Sequence, residues 1–213
     1  MTELKNPYIG VKNGKSCTYG GSQNLSESKN IQKCGCGIVA AADLILYMEK
    51  ASGTSPLPLY SYNRFLRYLN KHYFPLIPKF GMNSLALTAG LNLYFRKRNM
   101  PCRASWLLSG EKFYPRLEKQ ISENVPAIMS IGPNFPCFWQ KNDLSLYSKV
   151  SDGIYVKAGS AHAHFVTATG IDEKYIRVAS WGRELYIARE EFTSYMHSNS
   201  NSFLCNMLKI TKG

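Results

Sequence analysis

Hydrophobic positions along this chain change their period once. Up to about residue 124 they recur every three or four residues, and from Gly153 onward they alternate. The first pattern predicts helices and the second predicts strands. One run is apolar on almost every side: Ile38, Val39, Leu44, Ile45, Leu46 and Met48, interrupted only by Asp43. It predicts a buried central helix, opening directly from Lys33-Cys34-Gly35-Cys36-Gly37. Residues 51–58 then read as a Gly/Ser/Pro loop.

Tyr62, Phe65, Leu66 and Leu69 fall at i, i+3, i+4 and i+7, with Ser61 as cap and Pro75 and Pro78 as terminators. A second helix carries Leu87, Leu91, Tyr94 and Phe95 behind an Asn83 cap, with Arg96-Lys97-Arg98 at its end and Pro101 beyond. Cations there complement the helix dipole. Ser109 heads a third helix on Phe113, Leu117 and Ile121. Val125 to Gly132 predicts a buried strand. Residues 133–148 predict a long surface loop, whose Phe135, Phe138 and Trp139 suit a substrate wall.

Alternation then predicts about five antiparallel strands, on 154–156, 164–169, 175–179, 184–187 and 203–210, with a short helix from Arg189 to Met196 before the last. Helices first and strands last define an α+β class rather than an alternating parallel one. The chain reads as a single domain over 1–213, with a helical lobe at about 30–124 and a sheet lobe at about 125–213. Residues 1–30, rich in Asn, Ser, Gly and Lys, read as an irregular arm or short strand.

Composition narrows the picture only in places. Apolar residues make up 45% of the 213 and charged ones 19%, which excludes a disordered chain. No segment has the roughly 20 apolar residues of a membrane span, and residues 1–13 are polar with no leader pattern. The expected compartment is the cytoplasm, a removed leader or another export route aside. Six scattered cysteines suit reduced thiols better than a disulfide scaffold. The net charge is +12, and residues 60–120 hold eleven Lys and Arg against Glu111 and Glu118. This basic helical lobe could meet an anionic partner. No nucleic-acid-binding motif accompanies it.

Chemistry concentrates at Cys36. A cysteine at a helix start faces unpaired N–H groups and the positive end of the dipole, which favour thiolate over thiol. In such surroundings a thiol pKa of about 8.5 can fall to roughly 3.5–7.5. Glycines on both sides let a substrate backbone approach, and the Cys36 N–H can face a developing oxyanion. The matching group is a histidine at a strand start, in Ala161-His162-Ala163-His164-Phe165-Val166. An imidazole facing the helix start would take the thiol proton and return it to the leaving group.

Taken in order, Gly35-Cys36-Gly37 with Ala40 and an apolar helix, Val125-Pro-Ala-Ile-Met-Ser-Ile, His164-Phe-Val-Thr-Ala-Thr-Gly-Ile-Asp, Ala179-Ser-Trp-Gly182 and Glu190-Glu-Phe resemble the papain-like cysteine peptidases. The resemblance is to the bacterial branch related to the peptidases that trim double-glycine leaders from bacteriocins. It implies a thiolate–imidazolium pair of Cys36 and His164, an acyl-enzyme resolved by water, a peptide or protein substrate, and no cofactor or metal. Cys34 does not fit the Gly-Cys-Gly-x-x-Ala pattern. In the family an Asn or Asp orients the imidazole; here Ala179 and Ser180 occupy that region, and Ser180 can orient the ring without a charge. The side-chain oxyanion donor is expected at Asn30, by offset, or at Gln32, by residue type. Trp181 resembles the indole that shields the histidine, and His162, by the period of two, shares the face of His164, either as a group behind it or as a surface residue at the strand entrance.

Other readings use the same residues. An acyltransferase would run the same thioester to an amine. An inactive papain-like relative would bind peptide or an anion without cleaving. Cys34-x-Cys36 with His162-x-His164 could instead supply four zinc ligands.

Overall fold

The computed structural model describes residues 1–49, 56–77, 79, 81–108, 112–134 and 142–213. The chain opens with three short strands, β1 (Thr2–Glu3), β2 (Val11–Asn13) and β3 (Ser16–Cys17). Helices α1 (Lys29–Cys34) and α2 (Cys36–Glu49) follow, then β4 (Leu57–Pro58), α3 (Leu59–His72) and α4 (Ser84–Lys97). Next come β5 (Cys102–Trp106), α5 (Phe113–Ser122), β6 (Ala127–Ile131), β7 (Leu144–Ser151) and β8 (Ile154–Ala161). The remainder is β9 (His164–Ile171), β10 (Tyr175–Ser180), β11 (Arg183–Ala188), α6 (Arg189–Ser198) and β12 (Leu208–Lys212).

The architecture is α+β. Among the described residues the main sheet has seven strands rather than five, in the order β1-β9-β10-β11-β7-β8, with β6 also paired to β9. All its pairings are antiparallel. Two of the extra strands lie where the sequence was read as irregular. β1 pairs Thr2 with Ile171 at one end of β9, and β7 begins inside the expected 133–148 loop, burying Leu144 and Leu146. Four residues of alternation among Asn, Asp and Ser are too short a signal to stand out. Conversely β12, expected from Phe203, runs over Leu208–Lys212 and leaves the main sheet to pair with β5.

α2 is buried from Gly37 to Tyr47. It packs on β9 and β6 on one side and on α3 and α4 on the other. β9 is buried along its whole length, so helix and strand form the centre of a single core. α3 follows its amphipathic spacing, burying Tyr62, Asn63, Leu66 and Leu69. It starts two residues before Ser61, however, behind Pro58, whose φ of −57° already suits a helix entry. α4 begins as expected, with the Asn83 side chain accepting the Ala86 N–H at 2.8 Å. Ser109 lies outside the described residues, and α5 starts at Phe113. No described helix is long and apolar enough to cross a membrane.

Candidate active site

Cys36 owes its place to the junction of two helices. Gly35 caps α1, its N–H donating to the Ile31 carbonyl at 2.8 Å, and it alone separates that helix from Cys36, which opens α2. Only glycine fits there, since a Cβ would stand 2.5 Å from both the Ile31 carbonyl oxygen and its Cγ2. Cys36 keeps part of its surface open. Burial pushes its thiol pKa up, opposed chiefly by backbone hydrogen bonds at Phe165 and Gly37.

His164 is the first residue of β9 and Ser180 the last of β10, so antiparallel pairing brings the two ends together. His164 Nε2 and Ser180 Oγ are 2.8 Å apart. Only 8% of His164 is exposed, and burial lowers the imidazole pKa from 6.5 to about 4. The next residue, Trp181, stacks on the imidazole with ring centres 4.5 Å apart and planes 19° apart. Trp181 and Gly182 have φ of 50° and 74° and join β10 to β11 in two residues, the mark of a primed hairpin turn. A tryptophan in the left-handed region costs on the order of 1 kcal/mol, and that geometry lays the indole across the ring.

One narrow pocket connects these groups. It is lined by Cys36, His164, Phe165, Ser180 and Trp181, and also by Gln23 and Asp43. Its volume is about 10 Å³, room for about one water. Anything larger than a water would therefore have to lie across its mouth.

Sequence reasoning missed Gln23. It opens the one-turn helix Gln23–Leu25, thirteen positions before Cys36, and its Nε2 donates to the Gln32 carbonyl at 2.9 Å. That contact uses one of two amide hydrogens. Asn30 and Gln32, the residues expected there, are exposed on α1 and do not line the pocket. The Gln32 amide donates instead to the Ser26 carbonyl at 2.6 Å. No spacing rule singles out Gln23, because the chain between it and Cys36 is a turn plus a short helix.

Asp43 was visible in the sequence only as a break in an apolar run. It is 2% exposed. Its carboxylate accepts from the Tyr62 hydroxyl at 2.6 Å, the Tyr8 hydroxyl at 3.2 Å and the Gly21 N–H at 3.0 and 3.1 Å. Burial raises its pKa from 3.8 to about 6, against the lowering effect of those bonds.

The remaining candidates lie elsewhere. His162 is in the two-residue turn between β8 and β9, not in the strand, so the period of two does not reach it; its Nδ1 is 2.8 Å from Asp143 Oδ1. The Cys34 thiol donates to the Asn30 carbonyl at 3.2 Å. Among the described residues no group of three or more His, Cys, Asp and Glu converges to hold a metal ion. Phe135, Phe138 and Trp139 lie outside the described residues. Of the basic residues, Arg116 and Lys119 of α5 share a groove with Lys209 and Lys212 of β12.

Fold and site together define an α+β chain with a cysteine, a histidine and a serine around one pocket at a helix start. No protein-family model matches the chain, and no curated protein does. Among solved structures it is similar to a presumed C39-like peptidase from Bacillus anthracis, at 13% identity and a TM-score of 0.47, over 90% of this chain and 92% of that one. Such identity transfers no residue's role.

Proposed function

We propose that this chain is a cysteine-type hydrolase of peptide or amide bonds, papain-like and related to the double-glycine leader peptidases. Cys36 attacks the carbonyl, His164 takes the thiol proton, and the same imidazole returns it to the leaving amine. A water then resolves the thioester. The arrangement of His164 between Ser180 and Trp181, on the pocket that Cys36 also lines, carries this reading.

Burial favours a neutral thiol and a neutral imidazole when each is considered alone. The neutral pair and the thiolate–imidazolium pair hold the same single proton, so only its side changes as attack begins. An unprotonated imidazole at pH 7 is what a general base requires. For its other nitrogen to receive the proton, Nε2 must carry hydrogen and donate to Ser180 Oγ. Ser180 thus selects the tautomer without stabilising the charge as a carboxylate would. The Cys36 N–H and the Gln23 amide are the donors for the oxyanion.

Limiting iodoacetamide at pH 5 to 9, with adducts located by peptide mass spectrometry, tests the pair. Cys36 should react faster than Cys17 although Cys17 is the more exposed of the two, and His164→Ala should slow it. Equal rates at Cys36 and Cys17 would overturn the assignment. An inactive binding protein is separated by Cys36→Ala, which abolishes hydrolysis here and leaves peptide binding intact.

A further inference from the structure

We propose that Asp43 is a positioning residue for the oxyanion side of this site. Its carboxylate holds the Gly20–Gly21 turn and so sets where the Gln23 amide stands. The inference rests on reading Cys36 as the nucleophile.

Asp43 lies seven residues beyond Cys36, two turns along the same face of α2. Its donors come from three separate segments: Tyr8 ahead of β2, the Gly21 backbone, and Tyr62 of α3. The turn is pressed onto this cluster. Gly20 has φ of 73° and would put a Cβ 2.6 Å from Asp43 Oδ2. At Gly21 a Cβ would fall 1.8 Å from the Tyr62 hydroxyl oxygen. Gln23 follows two residues later, after the buried Ser22, and is tied at its far end to the Gln32 carbonyl. The nucleophile and the loop bearing Gln23 are therefore referenced to one rigid element, α2. Packing alone does not call for a carboxylate here, since burying one costs free energy that an apolar side chain would not. Every partner of Asp43 named above is a neutral hydrogen-bond donor.

Two reactions at one sulfur separate positioning from mere support. With 4-nitrophenyl acetate the Cys36 sulfur bonds to the acetyl carbon, the ester C–O bond breaks, and 4-nitrophenolate leaves with the electron pair. That step passes through an oxyanion. Displacement of iodide from iodoacetamide by the same sulfur does not. Both adducts are read at Cys36 by peptide mass spectrometry, with Cys36→Ala as background.

In Asp43→Ala, acylation should fall about 10- to 100-fold, short of the 10²–10³ for removing a donor outright, while alkylation changes less than about threefold. Asp43→Asn, whose Oδ1 can still accept the Gly21 N–H, should recover most of the loss. In a Gln23→Ala background, Asp43→Ala should add no more than about twofold. Should Asp43→Ala not fold, Tyr62→Phe removes one donor, and the ratio of the two rates should shift the same way. An unchanged ratio in all variants, a parallel fall of both reactions, or full additivity with Gln23→Ala would overturn the role of Asp43. If instead wild-type Cys36 is neither acylated nor alkylated faster than Cys17, the hydrolase reading fails first and takes this one with it.

Discussion

Replacing Asp43 by Asn should change how stability depends on pH, in a direction fixed by burial. The carboxyl pKa rises from 3.8 to about 6 because desolvation outweighs the bonds from Tyr62, Gly21 and Tyr8. A raised pKa means the folded chain holds the proton more tightly than the unfolded one. The Asp43 contribution is therefore greatest below pH 3.8 and is lost as pH rises through about 6. At 1.36 kcal/mol per tenfold change in proton affinity, the total is about 3 kcal/mol, of which about 2 kcal/mol falls between pH 4.5 and 7.5.

Urea unfolding of wild type and Asp43→Asn at those two pH values measures it. Whatever the offset between the proteins, the variant should gain about 2 kcal/mol on wild type from the lower pH to the higher. A difference that stays constant, or falls with pH, would mean that the hydrogen bonds outweigh burial and that the reasoning is wrong. His164 supplies the opposite slope. Its pKa is depressed from 6.5 to about 4 by burial, so its contribution is present above 6.5 and lost toward pH 4, again about 3 kcal/mol. The two nearly cancel in wild type, and Asp43→Asn uncovers the histidine's acid limb.

Ser180→Ala should lower the Cys36 acylation rate about 5- to 10-fold with little change in the folded fraction, matching the loss of one neutral hydrogen bond of about 1 kcal/mol. No change in a stopped-flow burst would remove Ser180 from the site. Gly90→Ala, inside α4, should destabilise by about 1–3 kcal/mol despite the helix preference of alanine, because a Cβ there would lie 2.4 Å from the Phe74 ring. A higher melting temperature would show that the ring yields.

Legibility in the sequence followed the range of each physical signal. α2 could be read because eleven of its fourteen residues are buried and only one of those is charged; the Asn83 cap and the alternation of β9 to β11 are equally local signals. Cys36, His164, Ser180 and Trp181 could be singled out because each sits at the end of such an element or just past it. What was missed depends on long-range pairing. β1 is two residues long and exists because β9 offers an edge. β12 follows a period-two pattern but obtains its partner from β5, about 100 residues earlier. Gln23 enters the pocket through a turn whose path is set by Asp43 and Tyr62, and no periodicity encodes that.

The pairing of β12 with β5 also bears on the order in which the proposed site is assembled. Gln120 stitches the late strand in, accepting the Ile210 N–H at 2.9 Å and donating to the Leu208 carbonyl at 3.4 Å. Contacts spanning such lengths of chain form slowly, because closure entropy is spent before burial compensates. During synthesis α2 emerges well before β9, and β12 later still. Until β9 packs on α2, Cys36 and His164 are not brought to one pocket. Under the proposed function a nascent chain thus lacks the base for Cys36, and the pair assembles only when distant parts of the polypeptide have found one another.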